Sequence, residues 1–216
     1  MKRLLLIRHG MPHEGHATQP GDPPLDGRGR RHAQRLAGRL RGEGVDRIVC
    51  SPQLRAAETA APLVRLLNLV PEVHDGLAEV DHGTERYRSV ATLQSEEPLR
   101  WKDFLASPAR FFGKDPAAYE ANVLRAFDDI LRDARGTCVA AFSHGMTIKT
   151  LLYAALGVRG GSHSLITIDH CSVSRVAGSQ LTDLRIVSIN ESLCKRPPEE
   201  PFAARRSSQA INQETT

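Results

Sequence analysis

The sequence predicts an α/β fold, a sandwich of helices packed on a central sheet. Three observations predict it. Short apolar runs of strand length recur along the chain, segments of helical periodicity alternate with them, and polar tripeptides carrying Arg or His stop two of the strands.

Arg3 to Ile7 is the first such run, a buried strand stopped by Arg8-His9-Gly10. Residues 11 to 25 hold four prolines and two glycines and read as a loop. From Gly27 to Gly42 the spacing is helical, with Ala33, Leu36, Ala37 and Leu40 on one face and Arg28, Arg31, Arg35 and Arg39 on the other, a solvated stripe. Asp46 to Cys50 is a second strand. Ser51-Pro52 then suits a helix start, Ser as N-cap and Pro as first residue, with the helix running through Leu67 and kinked at Pro62. Residues 72 to 83 read as a short extended piece ending in Asp81-His82-Gly83.

Residues 84 to 115 carry Tyr87, Trp101, Phe104, Phe111 and Phe112 and read as an inserted helical cap whose aromatics pack on one another. A long helix over 116 to 135 buries Val123, Phe127, Ile130 and Leu131 and stops at Gly136. Cys138 to Phe142 is a further buried strand, followed by Ser143-His144-Gly145 and a helix over 147 to 156. Two β-rich stretches, 164 to 177 and 183 to 189, turn at Gly178-Ser179. The polar, Pro-rich residues 195 to 216 read as a disordered tail, so the domain is expected to occupy residues 1 to 194.

Composition narrows the function classes. The chain has 216 residues, 40% hydrophobic and 25% charged, enough to bury a core as one domain with a small cap. Twenty-nine Lys+Arg against 25 Asp+Glu leave +4, too little for a protein built around duplex nucleic acid. Only Lys2, Lys102, Lys114, Lys149 and Lys195 are lysines, so Arg carries the positive charge, and guanidinium grips phosphate or carboxylate through two oxygens. Cys50, Cys138, Cys171 and Cys194 form no CxxC pair, which favours a reduced, cytoplasmic protein over a disulfide scaffold or zinc ribbon. The N-terminal apolar run is too short for a signal-peptide core, and nothing approaches the roughly 18 apolar residues of a membrane span. No membrane partner is expected, and a homodimer stays open.

The chemistry lies where strands end. Arg8-His9-Gly10, Ser51 with Arg55 one helical turn on, and Ser143-His144-Gly145 each follow a strand, and the C-terminal edge of an open α/β sheet forms its ligand crevice. Two arginines and two histidines brought together there make a small cationic pocket suited to a phosphate dianion. A histidine beside two guanidiniums resists protonation and stays nucleophilic near neutral pH. The same guanidiniums neutralise a phosphoryl group in transit, so neither a metal nor another cofactor is required. Glu79 in LAEVDHG is the best-placed carboxyl to protonate a leaving alkoxide, although Asp75, Asp81 and Glu85 lie close by.

The residues LLLIRHG (4–10), PPLDGRGRRHA (23–33), SPQLRAAETA (51–60), LAEVDHG (77–83) and FSHGMTIKTLL (142–152) resemble the histidine phosphatase superfamily, which includes phosphoglycerate mutases and many small-molecule phosphatases. The resemblance runs to about Cys194 and is weakest over the cap. Order, spacing and local structure agree, which a lone RHG would not provide. It implies a three-layer α/β/α sandwich with a mostly parallel sheet, a phosphohistidine at His9, phosphate held by Arg8, Arg55 and His144, and Glu79 as proton donor and acceptor. Two steps are implied, attack of His9 on phosphorus and then hydrolysis of the phosphohistidine.

Two departures favour a phosphatase acting on a small phosphorylated metabolite. Mutases of the family follow RHG with Glu-Ser-x-x-Asn and the late His-Gly with Asn, whereas this chain has Met11-Pro12-His13-Glu14-Gly15 and Met146-Thr147. The Trp common after the acid's loop in family phosphatases is replaced by Thr84-Glu85, which bears on substrate class. A mutase-type phosphotransferase is the alternative, and a non-catalytic phosphate binder fits less well because nucleophile and acid are both present. His13-Glu14-Gly15-His16 is one residue short of the helical zinc motif and reads as a substrate-facing loop, while His82, His163 and His170 read as surface or supporting groups.

Overall fold

The computed structural model describes residues 1–158 and 165–192. The expected tail over 195 to 216, Cys194 and His163 lie outside the described residues. Strands β1 (Lys2–Arg8), β2 (Arg47–Cys50), β3 (Glu72–Val73), β4 (Cys138–Ser143), β5 (Val173–Gly178) and β6 (Arg185–Glu191) form one six-stranded sheet in the order β3-β2-β4-β1-β5-β6. β1 and β4 pair in parallel, as do β2 with β4 and β2 with β3. β5 lies antiparallel between β1 and β6, so five strands run one way and one runs back.

β1 shows why the sheet is covered on both faces. Leu5 and Ile7 enter one core with Leu36, Leu40, Ala56 and Leu63, from helices α1 (Gly27–Leu40) and α2 (Leu54–Leu67). Leu4 and Leu6 enter the other with Val123, Phe127, Ile130 and Leu151, from α6 (Pro116–Arg132) and α7 (Gly145–Ala155). A continuous apolar run is what a strand buried on both faces requires. The result is the three-layer α/β/α sandwich with a mostly parallel sheet. Between β3 and α6 lie three short helices, α3 (Val90–Glu96), α4 (Pro98–Ala106) and α5 (Pro108–Phe111). No helix among the described residues is long and apolar enough to cross a membrane.

Several local expectations need correction. Ser51 does not cap α2, whose N-cap is Gln53, because the Ser51 hydroxyl turns to His144 instead. The extended piece after β2 is only two residues long before a 3-10 turn over Asp75–Leu77. α6 ends at Arg132 with Asp133 as its C-cap, ahead of Gly136, and α7 begins at Gly145, two residues earlier than its apolar pattern indicates. Of the stretch from 165 to 177, only Val173 onward is strand, and the irregular part lies against the site.

Candidate active site

Arg8 closes β1, Ser143 closes β4 alongside it in register, and Ser51 follows β2, so the three polar strand ends meet at one sheet edge. His9 is 2% exposed, and its backbone N–H donates to Ser143 O at 3.0 Å. Its Nδ1 lies 2.7 Å from Gly10 O. A carbonyl can only accept, so Nδ1 carries the ring proton and Nε2 keeps the lone pair. Burial first, then Arg55, His144, Arg8 and His170, hold the His9 pKa well below the usual histidine value.

Arg55 sits on the first turn of α2, entirely buried. Its Nη2 donates to both Asp81 oxygens at 2.7 and 3.0 Å, its Nη1 reaches Asp22 at 3.3 Å, and the guanidinium lies 4.9 Å above the Tyr87 ring centre. Burial opposes its charge, and Asp81, with Tyr87 and Glu79, more than offsets that. Arg8 donates from Nη1 to Ile168 O at 2.5 Å. His144 is fully buried with Nε2 2.7 Å from Ser51 Oγ, and burial with Arg55 and Arg8 keeps its pKa low. Ser51 Oγ also accepts from Gln53 N at 3.2 Å, so one hydroxyl ties the His144 ring to the start of α2.

The carboxyls that sequence could not separate take different roles. Glu79 accepts from Met146 N at 3.0 Å and from Val80 N at 2.8 Å, with the Tyr119 hydroxyl at 3.4 Å. Burial, then Asp81, raise its pKa above the ordinary carboxyl value against the pull of those N–H donors. Asp81 holds Arg55. Gln53 ties the two together, accepting from Glu79 N at 2.7 Å and donating to Asp81 Oδ1 at 3.1 Å. Thr147 Oγ1 donates to Ala78 O at 2.8 Å, so Met146-Thr147 fastens the Glu79 turn to α7.

The structure brings all five expected residues together: Arg8, His9, Arg55 and Glu79 line one cleft, and His144 lies with its ring centre 5.0 Å from that of His9. His170, read as a surface or supporting group, packs its ring 5.3 Å from that of His9, while His82 is exposed. Sequence reasoning missed Ser51's bond to His144, together with Gln53, Thr59, Asp81 and Tyr87. Thr59 had a legible signal in SPQLRAAETA, one turn after Arg55. Its hydroxyl donates to Arg55 O at 2.6 Å and accepts from Gly10 N at 2.9 Å, locking the His9 loop to α2. Four buried polar atoms of the site, Arg8 Nε, Arg55 Nε, His144 Nδ1 and His170 Nε2, have no hydrogen-bond partner among the described residues. Such unused capacity is rare in a folded interior and marks a place built for a polar ligand.

Glu14 has a structural task. Its carboxylate accepts from Ser89 N at 3.0 Å and from Thr92 Oγ1 at 2.9 Å, anchoring the start of α3 to the loop after β1. The His13-Glu14-Gly15-His16 loop thereby sets the position of the helical segment over the cleft.

The family model of the histidine phosphatase superfamily (branch 1) matches residues 4–191. The chain belongs to this superfamily. The Proteus mirabilis protein named "Probable phosphoglycerate mutase GpmB" is 26% identical over 187 residues, covering 82% of this chain and 85% of that protein. A mycobacterial glucosyl-3-phosphoglycerate phosphatase complexed with VO3 superposes with TM-score 0.72 at 22% identity, covering 89% of this histidine phosphatase homologue and 100% of that chain. The alpha-ribazole phosphatase of Shigella flexneri gives TM-score 0.69 at 22% identity, over 89% of this chain and 100% of its own.

Proposed function

We propose that this superfamily member is a metal-independent phosphomonoesterase that hydrolyses a small organic phosphate through a phosphohistidine at His9. The observation that carries the reading is the His9 ring: Nδ1 is committed to Gly10 O, so the free lone pair is on Nε2, in a cleft lined by Arg8 and Arg55 as well. In the first step Nε2 attacks phosphorus and the ester P–O bond breaks. Protonated Glu79 gives its proton to the departing alkoxide, a task its raised pKa suits. In the second step the Glu79 carboxylate takes a proton from water, whose oxygen attacks phosphorus. The P–N bond breaks, its electron pair returns to Nε2, and phosphate leaves. Arg8, Arg55 and His144 hold the phosphoryl oxygens throughout and neutralise their charge.

The names of the structural neighbours, two phosphatases, support hydrolysis. The Proteus relative's name favours the second reading, a phosphoglycerate mutase-type phosphotransferase. Against it stand Met11-Pro12-His13-Glu14 and Met146-Thr147, which replace the polar groups that mutases carry at those positions. A panel of phosphate esters assayed in EDTA, with and without 2,3-bisphosphoglycerate, separates the two. Phosphate release in EDTA is expected, along with acid-labile phosphoryl label on wild type and none on His9→Ala. Isomerisation without net release establishes the mutase, and activity surviving His9→Ala overturns the mechanism.

A further inference from the structure

The cleft that ends at His9 offers about 420 Å³ of space, including open solvent at its mouth. Most of the remaining lining is apolar: Val90 and Leu93 of α3, Phe104 of α4, and Val80, Phe112 and Met146 line it. Phe104 is fixed in place, stacked on Trp101 at 5.5 Å with the rings 16° from parallel and edge-on to Phe111 at 5.7 Å. The aromatics thus both pack together and present a preformed apolar wall. Apart from Arg8, His9, Arg55, Glu79 and Asp81, the lining residues with polar side chains among the described residues are Tyr87 and Arg88, and Arg88 already pairs with Glu97 at 3.3 Å and Glu96 at 3.8 Å. The nearby ammonium of Lys114 lies in the field of Asp81 and Glu79.

We infer that the alcohol part of the substrate is apolar, an aryl-alkyl or branched-alkyl group without a second charge. The inference rests on the proposed phosphomonoesterase activity and names its substrate class. A carboxylate or a run of hydroxyls entering this cleft would lose water and find few partners, since Arg8 and Arg55 face the phosphate, Arg88 is engaged by Glu96 and Glu97, and the Lys114 ammonium is offset by Asp81 and Glu79. An apolar group loses only the water that it and the wall are better without. Phosphate oxygens have the inner end to themselves, and the ester oxygen sits where the lining turns apolar.

The test uses the full chain and esters of similar leaving-group basicity: 2-phenylethyl phosphate against glycerol 3-phosphate and 3-phosphoglycerate. The expected kcat/KM ratio favours the apolar ester by about 100-fold. Phe104→Ala and Val90→Ser are expected to pull that ratio toward one; Val90 is 47% exposed, so its replacement does not threaten the fold. Glycerol 3-phosphate or 3-phosphoglycerate used as well as the apolar ester, or a ratio untouched by both variants, overturns the inference while leaving the phosphatase intact. If wild type hydrolyses none of the three, the activity itself has failed. Calorimetric titration with 2-phenylethylphosphonate and 3-phosphonopropionate then decides: tighter binding of the first supports the apolar site, and equal or weaker binding overturns it.

Discussion

The guanidinium of Arg55 is gripped by both oxygens of Asp81, at 2.7 and 3.0 Å, with Arg55 wholly buried and the Asp81 side chain 6% exposed. A buried cation without its partner is costly, so Asp81→Ala should lower stability by about 3 kcal/mol, the low end for a broken buried pair because Asp22 remains. An anion that reaches Arg55 replaces part of what was lost. Thermal unfolding with and without saturating phosphate should therefore show a larger phosphate-induced rise in the variant than in wild type. Equal rises would mean that phosphate does not engage Arg55.

Glu79→Gln keeps the acceptor of the Met146 N–H bond and removes the proton. For alkyl phosphates kcat should fall by about 10²–10⁴. In wild type the acid limb of kcat/KM should follow His9, displaced below the usual histidine value, and the basic limb should follow loss of the Glu79 proton, displaced above the usual carboxyl value. The two shifts widen the working window from both sides. Glu79→Gln should erase the basic limb, and a limb that persists unchanged in a pH profile would assign it to another group.

Stability should also depend on pH through the buried imidazoles. His9, His144 and His170 all have depressed values, with burial the largest cause for each. As pH drops below about 6.5 the unfolded chain takes up protons that the folded chain refuses, so unfolding is favoured increasingly toward acid, by at most about 1.4 kcal/mol per pH unit for each ring. Urea titrations between pH 7.5 and 5 should show this slope, and His144→Gln should make it shallower. An unchanged midpoint across that range would show that these rings titrate alike in both states.

The legible parts of this molecule are those in which local pattern and tertiary role coincide. β1, β2 and β4 carry the apolar runs Leu4 to Ile7, Ile48 to Cys50 and Cys138 to Phe142 because both faces are buried there, and the polar residues that follow fall at the sheet edge where ligands bind. Arg8, His9, Arg55 and His144 could be picked out for that reason. Asp81 could not, because its meaning lies in Arg55, 26 residues upstream. Glu79 and Asp81 look alike in sequence and differ only in which donors they face. His170 was hidden in an irregular stretch whose β-rich composition predicts strand, and only the third dimension lays its ring against His9.

Gly29 and Gly38 stand on the same helix, α1, and should respond to alanine in opposite senses. A Cβ at Gly29 would sit 2.2 Å from Met11 O, in the loop directly after His9, whereas a Cβ at Gly38 meets nothing within 4 Å. Gly38 is exposed, so Gly38→Ala gains helix propensity and should stabilise by about 0.5–1 kcal/mol. Gly29→Ala gains the same propensity but must push the Met11 carbonyl away, and with it the Asp26 N–H that this carbonyl accepts at 3.0 Å. Overpacking of this kind costs about 1–3 kcal/mol. The displaced loop carries His9 and Gly10, so kcat should fall in Gly29→Ala beyond what lost stability explains at a temperature where the variant is fully folded. Equal stability changes in the two variants, with unaltered kcat, would show that α1 does not set the position of the nucleophile.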